Sequence, residues 1–168
     1  MKSLGSVPYL LQHISLVLQR QGDQLLQERL GLGVSQYRIL LMLGEHIEDT
    51  KPVDQKSIAD NLGQTEASIS RQVKLLAERA LIDVVTDPTE RRRRLMALTP
   101  KGYRLLQAAD EALNQMYEPM LMLLDEKRLT QLREALTQFH DHTCAPGKPM
   151  ACDQVGDIST LYANQATL

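Results

Sequence analysis

Residues 54–99 read DQKSIADNLGQTEASISRQVKLLAERALIDVVTDPTERRRRLMALT, and this stretch decides the fold of the chain. Its first half holds two short helical patterns. They are capped by Asp54 and Thr65 and separated by Gly63, which tolerates the left-handed backbone at which helices end. From Leu81 to Thr99 the apolar period shortens to about two, and β-branched residues become frequent. The stretch therefore predicts two helices joined by a tight turn and followed by a β-hairpin.

The second predicted helix has two distinct faces. Ile69, Val73 and Leu76 fall on one side of it and are expected to face the core. The opposite side carries small and hydrogen-bonding side chains together with two cations. Its members are Ala67, Arg71, Lys74 and Glu78, flanked by Ser68 and Ser70. Such a face suits close approach to the edges of DNA bases.

Four consecutive arginines, Arg91 to Arg94, follow an Asp-Pro turn at the tip of the predicted hairpin. Charge runs are usually solvated turns, but this one lies beside a candidate reading helix, so we expect at least two of the arginines to contact DNA. Glu90 is expected to orient an arginine, because phosphates repel its carboxylate. Two helices and a basic hairpin make a winged helix-turn-helix. The expected fold class is mainly α with a small β-hairpin wing.

Amphipathic helices are also predicted before this region. One spans residues 8–30 and ends at Gly31, and a second, capped by Ser35, runs to His46. The polar stretch EHIEDTKPV, residues 45–53, is expected to be a loop.

Two further helices are predicted after the hairpin. Thr99 and Pro100 open the first, which Pro119 should kink because proline removes a backbone hydrogen bond. Asp125 is placed to cap the second. The apolar stripe of that last helix consists of Leu129, Leu132, Leu136 and Phe139.

The expected organisation is a single domain over residues 1–142. Within it, residues 35–99 form the winged-helix lobe. The broad apolar faces of residues 8–30 and 100–142 favour packing against a second copy as dimerisation helices. A homodimer also suits recognition of a palindrome, since one helix reads few base pairs. Residues 143–168 lack apolar periodicity and are expected to form a flexible tail.

The net charge of −2 is distributed unevenly along the chain. Gln64 to Arg104 contain nine basic and five acidic residues, a balance of +4 that leaves −6 for the remainder. This local basic region favours nucleic-acid binding. No apolar run approaches the about 20 residues of a membrane span, and neither a secretory signal nor a catalytic motif is evident. The sequence predicts a cytoplasmic protein that is not an enzyme and needs no cofactor.

Residues 87–102, DPTERRRRLMALTPKG, resemble the wing signature D-P-x-D-R-R-x-x-x-x-x-L-T-x-x-G of the MarR (multiple antibiotic resistance regulator) family of bacterial transcription factors. Glu90 replaces the second Asp of that signature. Residues 59–82 are similar to the family's second and recognition helices, and residues 34–43 to its second structural helix. The resemblance covers residues 8–142.

The chain departs from the family pattern at two places. Ala80 stands where the family commonly has a helix-ending glycine, so a left-handed backbone there costs about 1 kcal/mol. Asp83 and Val84 replace a frequent acidic-Arg pair, which removes one cation at the base of the wing.

The resemblance implies a homodimer that regulates transcription, expected to be a repressor, by binding a pseudo-palindromic operator in double-stranded DNA. Carried over by position, the residues that enter the major groove or touch its phosphates are Thr65, Ser68, Ser70, Arg71 and Lys74. The wing arginines, Arg91, Arg92, Arg93 and Arg94, are implied to reach the minor groove.

The resemblance also implies release by a small effector, here expected to be aromatic or phenolic. Family precedent places its pocket between the dimerisation helices and the DNA-binding lobe. The candidates by position are Tyr9, His13, Tyr37, Arg38 and Met42. For any one of them ordinary packing is the simpler interpretation.

Other interpretations of the same fold remain open. Cys144 and Cys152 would allow a redox-responsive regulator, although nothing nearby except Lys148 and histidines would lower a thiol pKa. His140 and His142 with Cys144 have ligand chemistry for a metal, but alternate residues at a helix end seldom converge on one ion, so no metal site is expected. A winged-helix protein-interaction module without DNA binding is the remaining alternative.

Overall fold

Six helices and three short strands make up residues 5–45, 53–87 and 93–143, which are the parts of the chain that a computed structural model describes. The predicted fold class, mainly α with a small antiparallel sheet, is confirmed. In chain order the elements are α1 (Val7–Leu30), α2 (Val34–Glu45), β1 (Val53–Asp54), α3 (Gln55–Leu62), α4 (Glu66–Glu78), β2 (Ile82–Thr86), β3 (Arg94–Leu98), α5 (Pro100–Leu121) and α6 (Glu126–Thr143).

The wing is part of a three-stranded sheet in the order β1-β3-β2, so the expectation of a simple hairpin was incomplete. Its two predicted arms pair in antiparallel register, with Val84 opposite Met96. On the other side of β3, Val53 pairs with the same Met96, and both side chains are buried. Val53 was therefore wrongly predicted to end a loop, whereas residues 46–52 of that loop lie outside the described residues. A third strand stabilises the ribbon, because two strands alone are marginal.

Side-chain caps begin four of the helices where the sequence predicted them. The carboxylate of Asp54 accepts from the Ser57 N–H at 2.8 Å at the start of α3. The hydroxyl of Thr65 accepts from the Ser68 N–H at 3.2 Å at the start of α4. Thr99 and Asp125 cap α5 and α6 in the same way. Each such cap typically stabilises a protein by about 1 kcal/mol.

The start of α2 differs from the prediction. The helix begins at Val34, so Ser35 lies inside it and is not the cap. Instead, the carboxylate of Asp23, on α1, accepts from the Val34 N–H at 2.9 Å, and the Gln36 side chain accepts from the Gly33 N–H at 3.2 Å. A carboxylate is favourable there because it meets the positive end of the helix dipole.

The core lies between α2, α4 and the sheet, and α1 and α5 close it from one side. As predicted, Ile69, Val73 and Leu76 turn the inner face of α4 into this core. The first half of α1 and the whole of α6 stay outside it, and α6 buries none of its residues. Helix α5 continues past Pro119 to Leu121, and a kink there stays a prediction.

A half-buried acid joins α2 to α5. Asp110 lies one turn from Leu106 and Leu113 on the inward side of α5, and it accepts a hydrogen bond from the Tyr37 hydroxyl of α2 at 2.7 Å. Burial raises the pKa of the Asp110 carboxyl above its ordinary 3.8, and the hydrogen bond from Tyr37 opposes part of this rise.

The backbone of Ala80 is left-handed, with φ +55°, so the first departure from the family pattern is a site of strain. Ala80→Gly should raise the free energy of unfolding by about 0.5–1 kcal/mol, because glycine removes the steric cost but adds entropy to the unfolded chain. Ala135→Gly is the control, since Ala135 is exposed in the interior of α6 and glycine there should cost about 1 kcal/mol. Urea unfolding followed by circular dichroism measures both; a destabilised Ala80→Gly variant would contradict the assignment of strain.

Asp110→Asn tests this half-buried acid. Because the folded-state pKa is raised, the ionised carboxylate lowers stability at neutral pH, and this cost disappears as the pH falls through the folded pKa and below 3.8. The variant should therefore gain stability over the wild type at about pH 7, and the gain should shrink towards about pH 4. Tyr37→Phe should move this window to higher pH, because it removes a bond that favours the ionised form. A stability difference that does not vary with pH would contradict the account.

Candidate nucleic-acid interface

The outward face of α4 carries the residues that the sequence assigned to DNA. Thr65, Arg71 and Lys74 are exposed, and Ser68 and Ser70 are half-buried beside them. The Ser68 hydroxyl donates to the Gln64 side chain at 3.1 Å, which leaves its oxygen able to accept.

Lys74 contacts a carboxylate on its own helix. Its Nζ lies 3.8 Å from Oε1 of Glu78, and both side chains are more than half exposed. An exposed pair of this kind contributes about 0.3–0.5 kcal/mol on a helix, so it does not hold Lys74 away from another anion.

Two open grooves border α4. The first, about 590 Å³, lies between the starts of α3, α4 and β3. It is lined by Asp54, Gln55, Lys56, Glu66, Ser70, Arg93 and Arg94. The second, about 820 Å³, follows the outer face of α4 past Arg71 and Lys74. Ser70 and Arg94 line both grooves, so α4 and the first residue of β3 form one continuous surface.

The wing arginines do not share one environment. Arg94 begins β3, pairs with Thr86 in the ladder, and lies beside α4. Arg93 lines the first groove together with Arg94, and its Nε donates to Oδ2 of Asp54 at 2.7 Å. The Arg93 guanidinium also approaches the buried Asp87, with Nη1 3.9 Å from Oδ2. Arg91 and Arg92 lie outside the described residues.

Asp54 consequently has two functions. One carboxylate oxygen caps α3 and the other binds Arg93, so the base of the wing is tied to the first helix of the helix-turn-helix. Because Arg93 is 43% exposed, this ion pair is worth at most about 1 kcal/mol, and its main effect is geometric. Sequence reasoning identified Asp54 only as a cap, and DNA contact by Arg93 stays a prediction.

The candidate effector residues fall into separate environments. Tyr9 and His13 stack on the exposed first half of α1, with ring centroids 5.8 Å apart. Met42 is part of the core and Arg38 is exposed. The Tyr37 hydroxyl donates to the carboxylate of Asp110. Sequence reasoning missed Asp110, although an acid among the apolar positions of α5 was a usable signal.

The three described ranges offer neither a metal site nor a membrane-spanning helix. They contain no cluster of three or more His, Cys, Asp or Glu side chains arranged to hold a metal ion. Cys144 and Cys152 lie outside those ranges. None of the described helices combines the length and apolarity required to cross a membrane.

Known proteins resemble this chain in sequence. Residues 30–93 match the sequence model of the MarR family. The chain is 26% identical over 102 residues to the Central glycolytic genes regulator of Bacillus subtilis (strain 168), an alignment covering 61% of this chain and 28% of that protein. It is 28% identical over 88 residues to the uncharacterized HTH-type transcriptional regulator YdgG of the same organism, covering 51% of this chain and 58% of YdgG. The matches thus span less than two thirds of either relative.

A solved structure extends the likeness to nearly the whole fold. The complex of Staphylococcus aureus MepR with DNA matches with a TM-score of 0.70 and 26% identity, over 82% of this chain and 98% of the MepR chain. The family model covers only residues 30–93, less than half of the chain, whereas the MepR structure aligns with 82% of it. The structural likeness therefore includes the helices that flank residues 30–93. The profile match over residues 30–93 and the shared architecture support the resemblance seen in the wing, and the chain is similar to winged helix-turn-helix regulators of the MarR family.

Proposed function

We propose that this chain is a sequence-specific double-stranded DNA-binding regulator of transcription. It acts as a homodimer on a pseudo-palindromic operator, represses the genes it controls, and is released by a small molecule. The observation that carries the DNA-binding part is the continuous surface formed by the outer face of α4 and Arg94 of the wing. The MepR–DNA complex supports the same mode of binding.

The residues of this surface divide between base edges and phosphates. Arg71 is exposed in the middle of α4, and an arginine there can donate two parallel hydrogen bonds to guanine. Arg94 and Lys74 lie at the borders of the same surface, where the phosphates that flank a major groove would pass. Arg94 is thereby assigned to the phosphates beside the major groove, and minor-groove contact is left to Arg91 and Arg92.

The dimer is supported by apolar side chains that one copy leaves in solvent. On α1, at the end of α5 and on α6, large side chains are exposed, including Ile14 at 46%, Leu123 at 78% and Phe139 at 51%. Monomeric proteins rarely expose a contiguous apolar patch of more than a few hundred square ångströms. A second copy related by a two-fold axis would cover these faces and present two reading helices to one duplex.

The effector is proposed to be a small aromatic or phenolic molecule bound between the dimerisation helices and the winged lobe. Tyr37 and Asp110 are the best-placed recognition groups, because they join α2 of the lobe to α5. A ligand that competes for either hydrogen-bonding group would alter that junction. Allosteric coupling of about 1–3 kcal/mol changes operator occupancy several-fold to a hundred-fold.

Selection of bound duplexes from a random library tests this function, with wild type, Arg71→Ala and Arg29→Ala carried in parallel. The wild type should enrich two inverted half-sites, and its affinity should fall on a log–log plot with a slope of about −0.9 per phosphate neutralised. Arg71→Ala should lose about 1–3 kcal/mol of specific binding per half-site and relax preference at one position.

Arg29→Ala is the matched control for lost charge, since Arg29 is exposed in the last turn of α1 and distant in sequence from α4 and the wing. It should retain the selected sequence and most of the affinity. A wild type that enriches no duplex even in dilute buffer would overturn the proposal and leave a protein-interaction module as the alternative. An Arg71→Ala variant with unchanged operator affinity and base preference would show that Arg71 does not contact the bases.

A further inference from the structure

The C-terminal end of α4 is attached to α1 by one side chain. Arg79 follows the last residue of α4, and its guanidinium donates to the Gly31 carbonyl at 2.7 Å and to the Leu30 carbonyl at 3.2 Å. These carbonyls lie at the C-terminal end of α1, where backbone acceptors have no partner within the helix and the dipole favours a cation. The planar fork of one arginine binds both acceptors at once.

The same end of α4 is held from the other side by α5. Lys101 Nζ donates to the Arg79 carbonyl at 2.8 Å. The Thr99 hydroxyl lies 2.9 Å from the Ala80 carbonyl and 3.1 Å from that of Leu81. A Cβ at Gly102 would collide with the Leu81 carbonyl, so the first turn of α5 lies directly against this backbone.

The N-terminal end of α4 has a different kind of support. Thr65 caps it from within the same segment, and the Gln55 side chain of neighbouring α3 donates to the Glu66 carbonyl at 3.2 Å. Both contacts stay inside the winged lobe. The apolar core also joins the lobe to α1 and α5, but apolar packing is non-directional, whereas the hydrogen bonds at Arg79 have defined directions.

We infer that Arg79 is a positioning residue that fixes the angle of the reading helix relative to the dimerisation helices and so sets the spacing between operator half-sites. The inference rests on the proposed function and adds a residue that touches no DNA. Helices α1 and α5 carry exposed apolar faces of the proposed dimer, so an anchor from α4 to both relates each reading helix to the two-fold axis.

Half-site spacing is a sensitive readout of that angle. Each base pair added between two half-sites moves the second by about 3.4 Å and rotates it by about 34° around the duplex. A dimer with rigidly held reading helices accepts one spacing. A dimer whose helices pivot at their C-terminal ends accepts several. Lost stability or lost charge alone weakens binding at every spacing equally and leaves the preference unchanged.

The experiment uses the half-sites enriched by the wild type, rejoined with spacers one base pair shorter, unchanged or one base pair longer. The wild type should bind the altered spacers at least about tenfold more weakly than the enriched one, an effect comparable with losing a base-pair contact. Arg79→Ala should reduce that ratio to about threefold or less while enriching the same half-site sequence. Arg29→Ala, which removes a cation from the same end of α1, should keep the wild-type ratio.

Two additional variants test the same role if Arg79→Ala does not fold. Arg79→Lys retains a cation with single-point donation and should give an intermediate ratio. Lys101→Met removes one of the contacts from α5, the hydrogen bond to the Arg79 carbonyl, and should widen the tolerated spacing. If all folded variants keep the wild-type ratio, the role assigned to Arg79 is wrong although the DNA-binding function stands. If the wild type enriches no paired half-sites, the proposed function fails, and this inference fails with it.

Discussion

Helix α4 can serve as a rigid reading element only while the backbone groups at its two ends have partners. In its first turn the Ser68 N–H donates to the Thr65 hydroxyl, and its C-terminal end is held through Arg79 and Lys101. Three apolar side chains press its inner face into the core, which leaves the outer face free for a ligand. The grooves along that face exist because α4 is fixed at both ends and the sheet lies beside it.

The charges of the winged lobe divide between internal and external tasks. Asp54 uses both carboxylate oxygens internally, one for the cap of α3 and one for Arg93. Arg71, Lys74 and Arg94 remain exposed on the surface that faces outward. An otherwise acidic chain thereby presents a cationic surface, because Asp54 and Asp87 at the base of the wing are paired with Arg93. Local arrangement of charge, and not the net charge of −2, determines which polyanion can bind.

The features that could be predicted from the sequence depend on residues close together in the chain. Asp54, Gly63 and Thr65 mark the ends of α3 and α4 through bonds that span three to five positions. The two arms of the wing followed from a change of apolar period. These signals are local, so they predicted α4, its buried face and its exposed cations.

The remaining features depend on contacts between distant segments, which no local pattern encodes. The pairs Asp23–Val34, Asp54–Arg93 and Gly31–Arg79 are 11, 39 and 48 positions apart. Strand β1 is only two residues long and acquires its partner from β3. Consecutive arginines also look alike in sequence, whereas in the fold Arg93 is paired with Asp54 and Arg94 also lines the second groove along α4.

The proposed dimer requires that two copies of α4 are held at a fixed separation that fits successive major grooves. Double electron–electron resonance spectroscopy measures the distance between the two α4 helices directly, in the absence of DNA. Spin labels would be placed at Ala67, an exposed residue in the first turn of α4, with Cys144 and Cys152 replaced by serine. The account predicts a single narrow distance distribution centred near about 34 Å, one turn of the duplex. Absence of dipolar coupling, or a distribution tens of ångströms wide, would contradict it.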